Sequence, residues 1–329
     1  HDGNFQKAID LINRAKESGA DAVKFQHFTA KTIVSERSFN SMNNKLSHQK
    51  SWKKSVFEVY DKASLNFKWT KKLKKECDKL KIHFFTAPYS LDLIKEVNKY
   101  ICAYKVGSGD ITWIEAIEAM SKKKKPIILA TGASNLDDVI RAHAAIKKIN
   151  KKICIMQCNT NYTASVENFK YINLNVLNTY KKLFPNVVLG LSDHTPGHAT
   201  VLGAVTLGAR MVEKHFTSSN NLSGPDHKFS MTPKTWKEMV MRCRELENSL
   251  GDNNKKIEFN ERNTVIVQRR GIHLNKSLNK NTKIKKSDLN YLRPALKGSI
   301  FPYEYKKILN KRINKSKLAG DILLWKDLK

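Results

Sequence analysis

Short apolar runs alternate along most of this chain with longer stretches in which apolar residues recur every third or fourth position. The runs predict strands at 20–26, 82–86, 101–106, 126–130, 153–157, 187–191 and 211–214. The periodic stretches predict helices at 5–17, 69–80, 91–98, 114–120, 136–149, 198–208 and 233–249, and another ending near Phe184. In the first helix Ala8, Ile9, Leu11, Ile12 and Ala15 share one face, and Asn4 is placed to cap it. Residues 27–66 break the pattern. They are polar and rich in Ser, Asn and Lys, with one short helix expected at 52–60. A connection of that length inside a compact domain is characteristically functional or mobile.

A strand, a helix and a second strand in this order favour parallel strands joined by a right-handed crossover. Seven such repeats fit between residue 20 and the helix at 233–249. The fold class expected is therefore α/β, a (β/α)8 TIM barrel whose first strand is missing from this chain and would precede His1. An open doubly wound sheet is the other arrangement that the order allows. The barrel is preferred because nearly every strand runs into a polar loop bearing Gly or Ser. Only a barrel gathers all those ends at one mouth. After Glu258 the apolar segments shorten, which marks a small β-rich second domain. The expected boundaries are a barrel at 1–255, a linker at 256–270 and the second domain at 271–329.

Composition narrows the partners. The 329 residues carry a formal charge of +30, but the lysines are scattered over helix faces, as at 71–75, 122–125 and 306–317, without an arginine–aromatic platform. A solvated basic surface that attracts anionic small molecules is expected, with no specific nucleic acid. No run approaches the ~20 apolar residues of a membrane span, so no membrane partner is expected. The chain opens on His1 without a signal-peptide pattern and reads as a fragment whose true start lies upstream. Its five cysteines form no CxxC pair, and Cys102 and Cys154 sit in apolar runs, as buried thiols of a reducing cytoplasm would.

The chemistry concentrates at the strand ends. His194 and His215 each close an apolar run, in Gly190-Leu191-Ser192-Asp193-His194-Thr195 and Glu213-Lys214-His215-Phe216-Thr217. Parallel strands would bring both imidazoles to one sheet edge, where they could share a divalent metal. Asp193 and Glu213 beside them would tune it or move protons. A single histidine at such a place is more often a hydrogen-bonded structural residue; the pair makes the metal reading competitive. The other strand ends supply Lys24, Gln26, Thr86, Lys105, Ser108, Asp110, Thr160, Tyr162 and Ser192. Two lysines among hydroxyls suit a phosphate or carboxylate, and Gly107-Ser108-Gly109 lets backbone N–H groups approach an anion. A Lewis-acidic metal and a carboxylate at Asp110 suit condensation of an anionic nucleophile with an aldehyde. An aldolase or a metal-dependent hydrolase is also compatible.

Ala22-Val23-Lys24-Phe25-Gln26, Tyr104-Lys105-Val106-Gly107-Ser108-Gly109-Asp110, Leu129-Ala130-Thr131-Gly132, the two histidine motifs and Gly224-Pro225-Asp226-His227 together resemble the sialic acid synthases. The region around Tyr291-Leu292-Arg293-Pro294 resembles the family's antifreeze-like SAF domain. The resemblance implies condensation of phosphoenolpyruvate with an open-chain N-acetylated amino sugar, either N-acetylmannosamine or a diacetamido-trideoxyhexose, to a nonulosonic acid and phosphate. It implies a divalent metal, Mn²⁺ or Mg²⁺, on His194 and His215, and assigns Lys24, Lys105, Ser108 and Ser192 to phosphoenolpyruvate. Asp110 stands where the family has a catalytic glutamate, and Asp226 where it has an acid near the sugar. Thr86 matches a phosphate ligand within Phe85-Thr86-Ala87-Pro88-Tyr89, and Thr160 and Tyr162 match a sugar-contacting loop. Gln26 joins the substrate-binding set. Arg293 matches an arginine that reaches the N-acetyl group in a domain-swapped homodimer. The family's glutamate on the first strand is absent from this chain. The alternative is another metal-dependent TIM-barrel lyase or aldolase acting on a phosphorylated or carboxylated small molecule.

Overall fold

Each apolar run becomes a strand of one parallel sheet: β1 (Ala22–His27), β2 (His83–Pro88), β3 (Tyr104–Val106), β4 (Ile127–Ala130), β5 (Ile153–Cys158), β6 (Val188–Asp193) and β7 (Met211–Lys214). The computed structural model describes residues 1–42 and 46–329; of the 27–66 stretch, residues 43–45 lie outside the described residues. The strands pair in sequential order from β1 to β7, all parallel, and the intervening helices pack around them. A doubly wound sheet would reverse its strand order at a switch point. This one does not reverse and curls as a barrel does.

The sheet has seven strands, and β1 and β7 are its two edges. The inner strands β3, β4 and β5 are buried at every position, whereas β1 is fully buried only at His27 and β7 only at Lys214. The two edges line opposite sides of a groove of about 580 Å³. Leu11 and Ile12 of the helix Phe5–Glu17, with Trp236 and Met239 of the helix Pro233–Leu250, line it as well. It lies where an eighth strand would close the barrel.

Local chemistry moves two elements from their expected places. The helix expected at 52–60 is Val56–Ala63, because Ser55 and Glu58 form a capping box that fixes its first turn, and two further short helices, Ala30–Ile33 and Glu36–Ser41, lie in the same stretch. Residues 101–103 do not join β3. The Ile101 carbonyl accepts a hydrogen bond from the Lys125 ammonium at 2.6 Å, and Cys102 is exposed, not buried. All five cysteines are free thiols.

Residues 1–251 and 252–329 form two compact units. The second is built on the antiparallel pair β8 (Gly271–Leu274) and β9 (Leu289–Leu292), with Ile272, Ile284, Ile300, Ile308, Ile313 and Leu323 in its own core. Arg262–Gln268, within the span expected to be linker, is helical. No helix among the described residues is long and apolar enough to cross a membrane.

His27 illustrates how the first unit is sealed. Thr86 donates its hydroxyl proton to the Phe25 carbonyl at 2.7 Å, so the His27 Nδ1–H donates to Thr86 Oγ1, also at 2.7 Å. Nε2 then accepts from Thr70 Oγ1 at 2.7 Å. The neutral ring is fully satisfied, and burial pushes its pKa down from 6.5 to about 4. Between those values the unfolded chain binds a proton that the fold refuses. The His27 contribution is thus complete above pH 6.5 and is lost as pH falls toward 4, with a slope approaching about 1.4 kcal/mol per pH unit. Urea midpoints measured from pH 7.5 to 5 should fall accordingly. His27→Gln should be less stable at pH 7.5 and lose less over that range.

Candidate active site

Side chains alternate across a strand, so register decides what reaches the mouth. Cys158, Ser192 and Glu213 share one register row, and the residues two positions on from Ser192 and Glu213 are His194 and His215. All five face the interior of the curled sheet. Asp193 and Lys214, also paired in register, face the opposite way, toward the helix Ala199–Thr206. The carboxylate beside each histidine therefore has a different fate.

Asp193 is structural. It forms a buried ion pair with Lys214 and accepts hydrogen bonds from the Thr200 hydroxyl at 2.7 Å and the Thr195 amide at 3.1 Å. Burial alone would raise its pKa, but Lys214 holds it below the usual carboxylate range. Lys214 also donates to the Thr195 carbonyl at 2.7 Å, which fixes the turn carrying His194.

Glu213 is in the mouth. Its Oε1 lies 3.4 Å from Lys24 Nζ and 3.6 Å from Lys105 Nζ, so three strands, β1, β3 and β7, contribute to one ion cluster. Burial alone would raise the Glu213 carboxyl; Lys105 and Lys24 reverse that and hold it at about 2. The second carboxylate oxygen is buried and has no hydrogen-bond partner.

Ser108 lies beside this cluster and accepts the Gly132 N–H at 3.0 Å. A Cβ at Gly132 would sit 2.9 Å from Ser108 Oγ and 2.7 Å from the Thr160 methyl, so the close approach requires glycine. Cys158, Ser108 and Ser192 line the same part of the cavity. Gly107 serves similarly on the other side: its Cβ would meet Asp110 Oδ2 at 3.0 Å and Tyr89 Oη at 3.1 Å. Gln26 Nε2 donates to Tyr89 Oη at 2.7 Å. Burial pushes the Asp110 carboxyl up to about 6 against the pull of Lys105, within reach of neutral pH.

The two imidazoles have ring centroids 5.4 Å apart, with Phe229 and Tyr162 packed on both. His194 Nδ1 lies 2.8 Å from the Asn159 carbonyl, which can only accept, so Nδ1 carries the proton and Nε2 keeps its lone pair. Burial pushes the His194 pKa down to about 4, leaving the ring neutral. His215 Nδ1 is 3.4 Å from Asp226 Oδ2. Burial would raise the Asp226 carboxyl, but His215 and Lys24 hold it below its ordinary value. Among the described residues no group of three or more His, Cys, Asp or Glu side chains is arranged to hold a metal ion.

Lys24, Gln26, Lys105, Ser108, Asp110, Tyr162, Ser192, His194, His215 and Asp226 thus line one cavity of about 370 Å³. Thr86 does not. It shares a face with its register partner Tyr104, whose hydroxyl reaches the Ile94 carbonyl in the helix layer, and its own hydroxyl is committed to Phe25 and His27. Ala87 occupies the cavity-facing position instead. Thr160 packs its methyl against Gly132 and does not line the cavity. Arg293 belongs to the second unit, where it is exposed. Sequence reasoning did not place Glu213 with the lysines, although the two-residue period from His215 carries the signal. It also did not assign Tyr89, or His48, Trp52 and Tyr60 of the 27–66 stretch, which line the same cavity.

The model of the NeuB family matches residues 11–255, and that of the SAF domain matches residues 269–329. The N,N'-diacetyllegionaminic acid synthase of Legionella pneumophila is 33% identical over 339 residues, covering 100% of this chain and 92% of its own. The human N-acetylneuraminate-9-phosphate synthase is 31% identical over 265 residues, covering 78% and 70%. Among solved structures, the spore coat polysaccharide biosynthesis protein spsE of Bacillus subtilis superposes with a TM-score of 0.63 at 27% identity, covering 100% of this chain and 92% of that one.

The Asp193–Lys214 pair yields a stability test. Lys214→Met leaves a buried carboxylate without its counter-charge, and should cost about 3–5 kcal/mol in chemical unfolding of the first unit. Combining it with Asp193→Leu should recover part of that loss. Equal destabilisation by the single and double variants would mean that the ion pair is not what Lys214 supplies.

Proposed function

The chain belongs to the NeuB family, and on that premise we propose that it condenses phosphoenolpyruvate with the aldehyde of an open-chain N-acylated amino sugar, giving a nonulosonic acid and phosphate. One observation carries the reading: two lysine ammoniums and two imidazoles converge in a single cavity beside a carboxyl tuned to about 6. Phosphoenolpyruvate brings a phosphate and a carboxylate. Lys24 and Lys105 offer them charge, and Ser108 and Ser192 offer hydroxyl donors from the same wall.

In the balanced reaction the oxygen of water bonds to C2, C3 bonds to the aldehyde carbon, and the C2–O bond to phosphate breaks. The water loses both protons, one ending on the aldehyde oxygen and the other on the departing phosphate. Asp110 is suited to take a proton from water and return it, because its pKa lies near the working pH. Asp226, held ionised, orients His215 and faces the sugar end. His194 and His215 fit a divalent cation such as Mn²⁺ or Mg²⁺: the first has its Nδ1–H anchored and Nε2 free to ligate, and the remaining positions would fall to water or substrate. When bound, such a cation polarises a carbonyl oxygen as a Lewis acid. From its family membership the protein is further proposed to act as a cytoplasmic homodimer.

Phosphate release is the test, with phosphoenolpyruvate, Mn²⁺ and an amino sugar present together. Release that requires the sugar and stops with EDTA is expected. Turnover without phosphoenolpyruvate would instead favour a lyase or hydrolase. His194→Ala should lower turnover by about 100-fold or more while the protein stays folded by circular dichroism. Lys105→Ala should raise the KM for phosphoenolpyruvate by about 10–100-fold, as loss of a charged hydrogen bond does. The pH profile of kcat/KM should rise through about pH 6 as Asp110 ionises and fall away below it. Asp110→Asn should remove that limb, and a limb unchanged in the variant would assign it to another group.

A further inference from the structure

Tyr89 is held more firmly than filling space at the cavity would require. It follows β2, and three consecutive residues at the end of β1 and just past it fix its position. The Gln26 Nε2 donates to its Oη at 2.7 Å, and its own backbone N–H donates to the His27 carbonyl at 3.0 Å. The Phe28 ring meets its ring edge to face, with centroids 5.9 Å apart. Hydroxyl, backbone and ring are each restrained, so the hydroxyl has a set place in the cavity that Gln26 and Tyr89 both line.

That place is beside Asp110, across Gly107. A Cβ at Gly107 would stand 3.0 Å from Asp110 Oδ2 and 3.1 Å from Tyr89 Oη, so the two oxygens flank one point. The Asp110 N–H donates to the Gly107 carbonyl at 3.0 Å, and the turn Ser108–Asp110 folds the carboxyl back over the glycine. Two oxygens that each lie about 3 Å from one point are no more than about two hydrogen-bond lengths apart, a span that one water molecule bridges.

Donor and acceptor roles follow. Tyr89 Oη already accepts from Gln26, so what it offers next is its proton. Burial, and the charge of Asp110 beside it, push the phenol's pKa up, so that proton stays on the Tyr89 oxygen. The hydroxyl is a fixed donor next to a carboxyl suited to accept.

We propose that Tyr89 is a further positioning residue of the reaction: its hydroxyl donates a hydrogen bond to the water from which Asp110 takes a proton, so that the water is held between a fixed donor and its base. The inference rests on the condensation reading above, in which that water bonds to C2. Tyr89 gives up no proton. The water passes one proton to Asp110, accepts the Tyr89 hydrogen bond on one lone pair and bonds to C2 with another. Alignment of this kind lowers the barrier without tightening the binding of either substrate.

The experiment measures phosphate release with phosphoenolpyruvate, Mn²⁺ and whichever of N-acetylmannosamine and a 2,4-diacetamido-2,4,6-trideoxyhexose gives the higher rate. Tyr89→Phe keeps the ring against Phe28 and removes only the oxygen, so its thermal unfolding should match the wild type. Its kcat should fall by about tenfold, as loss of one hydrogen bond does, with the KM of each substrate within about twofold. In an Asp110→Asn background, measured on the residual rate, Tyr89→Phe should cost less than about twofold more, because the base that uses the aligned water is gone. An unchanged kcat would overturn the inference. So would a loss confined to a raised sugar KM, which would mean that Tyr89 serves only to hold Gln26. A full tenfold loss in the Asp110→Asn background would also overturn it, since Tyr89 would then act independently of Asp110. Each of these results leaves the condensation reading standing. No phosphate released by the wild type with either sugar would bring down that reading, and this inference with it.

Discussion

The Lys24–Glu213–Lys105 cluster is the interaction on which the site depends. Two ammoniums held this close in a buried cavity repel each other and lose hydration, and either effect alone would deprotonate or displace one of them. Glu213 lies within 3.6 Å of both and offsets part of that conflict, although burial still holds the Lys24 ammonium below its ordinary pKa. It also connects β1 and β7, the two edges of the sheet, across the interior of the curl. The two ammoniums are therefore positioned by a carboxylate already in place, and on the condensation reading an incoming phosphate or carboxylate would share them with it. Preorganisation of this kind lowers the reorganisation that binding and reaction require.

Strand parity distributes the remaining roles. Each histidine follows a charged residue whose side chain points away from the mouth, toward the helices, in Asp193-His194 and Lys214-His215. Those two outward residues find each other and hold the strand ends together. The inward residues Ser192 and Glu213, one step earlier, share the mouth with the imidazoles. Stability and chemistry thus occupy alternate positions of the same short segments, and neither competes for space with the other.

The charge of the whole molecule gives little guidance to the cavity. The chain is strongly basic, with 60 Lys and Arg against 30 Asp and Glu, but the described residues that line the cavity supply three carboxylates and two ammoniums. Long-range attraction draws anions toward the protein; the local balance decides how many it can hold.

Much of this was legible in the sequence. The apolar runs and helical periods determined the type and order of the barrel elements, and the polar strand ends supplied the inventory of the mouth, because both signals are local. Asp110, His194, His215, Lys24 and Lys105 could be nominated from their position at the ends of runs. Which face each side chain takes was decided only by the tertiary structure. A shift of one residue reverses a strand's faces, so Thr86 turns to the helices while Ala87 lines the cavity. The pairing of Glu213 with two lysines more than 100 residues away in sequence depends on the curl of the sheet. So does the gathering of aromatic side chains at the mouth. Residues 27–66 show only one short helical signal, at 52–60, and nothing local tells that Trp52 and Tyr60 line the mouth. Local sequence specifies backbone conformation and chemical type. The closing of distant strands on one another specifies which groups meet.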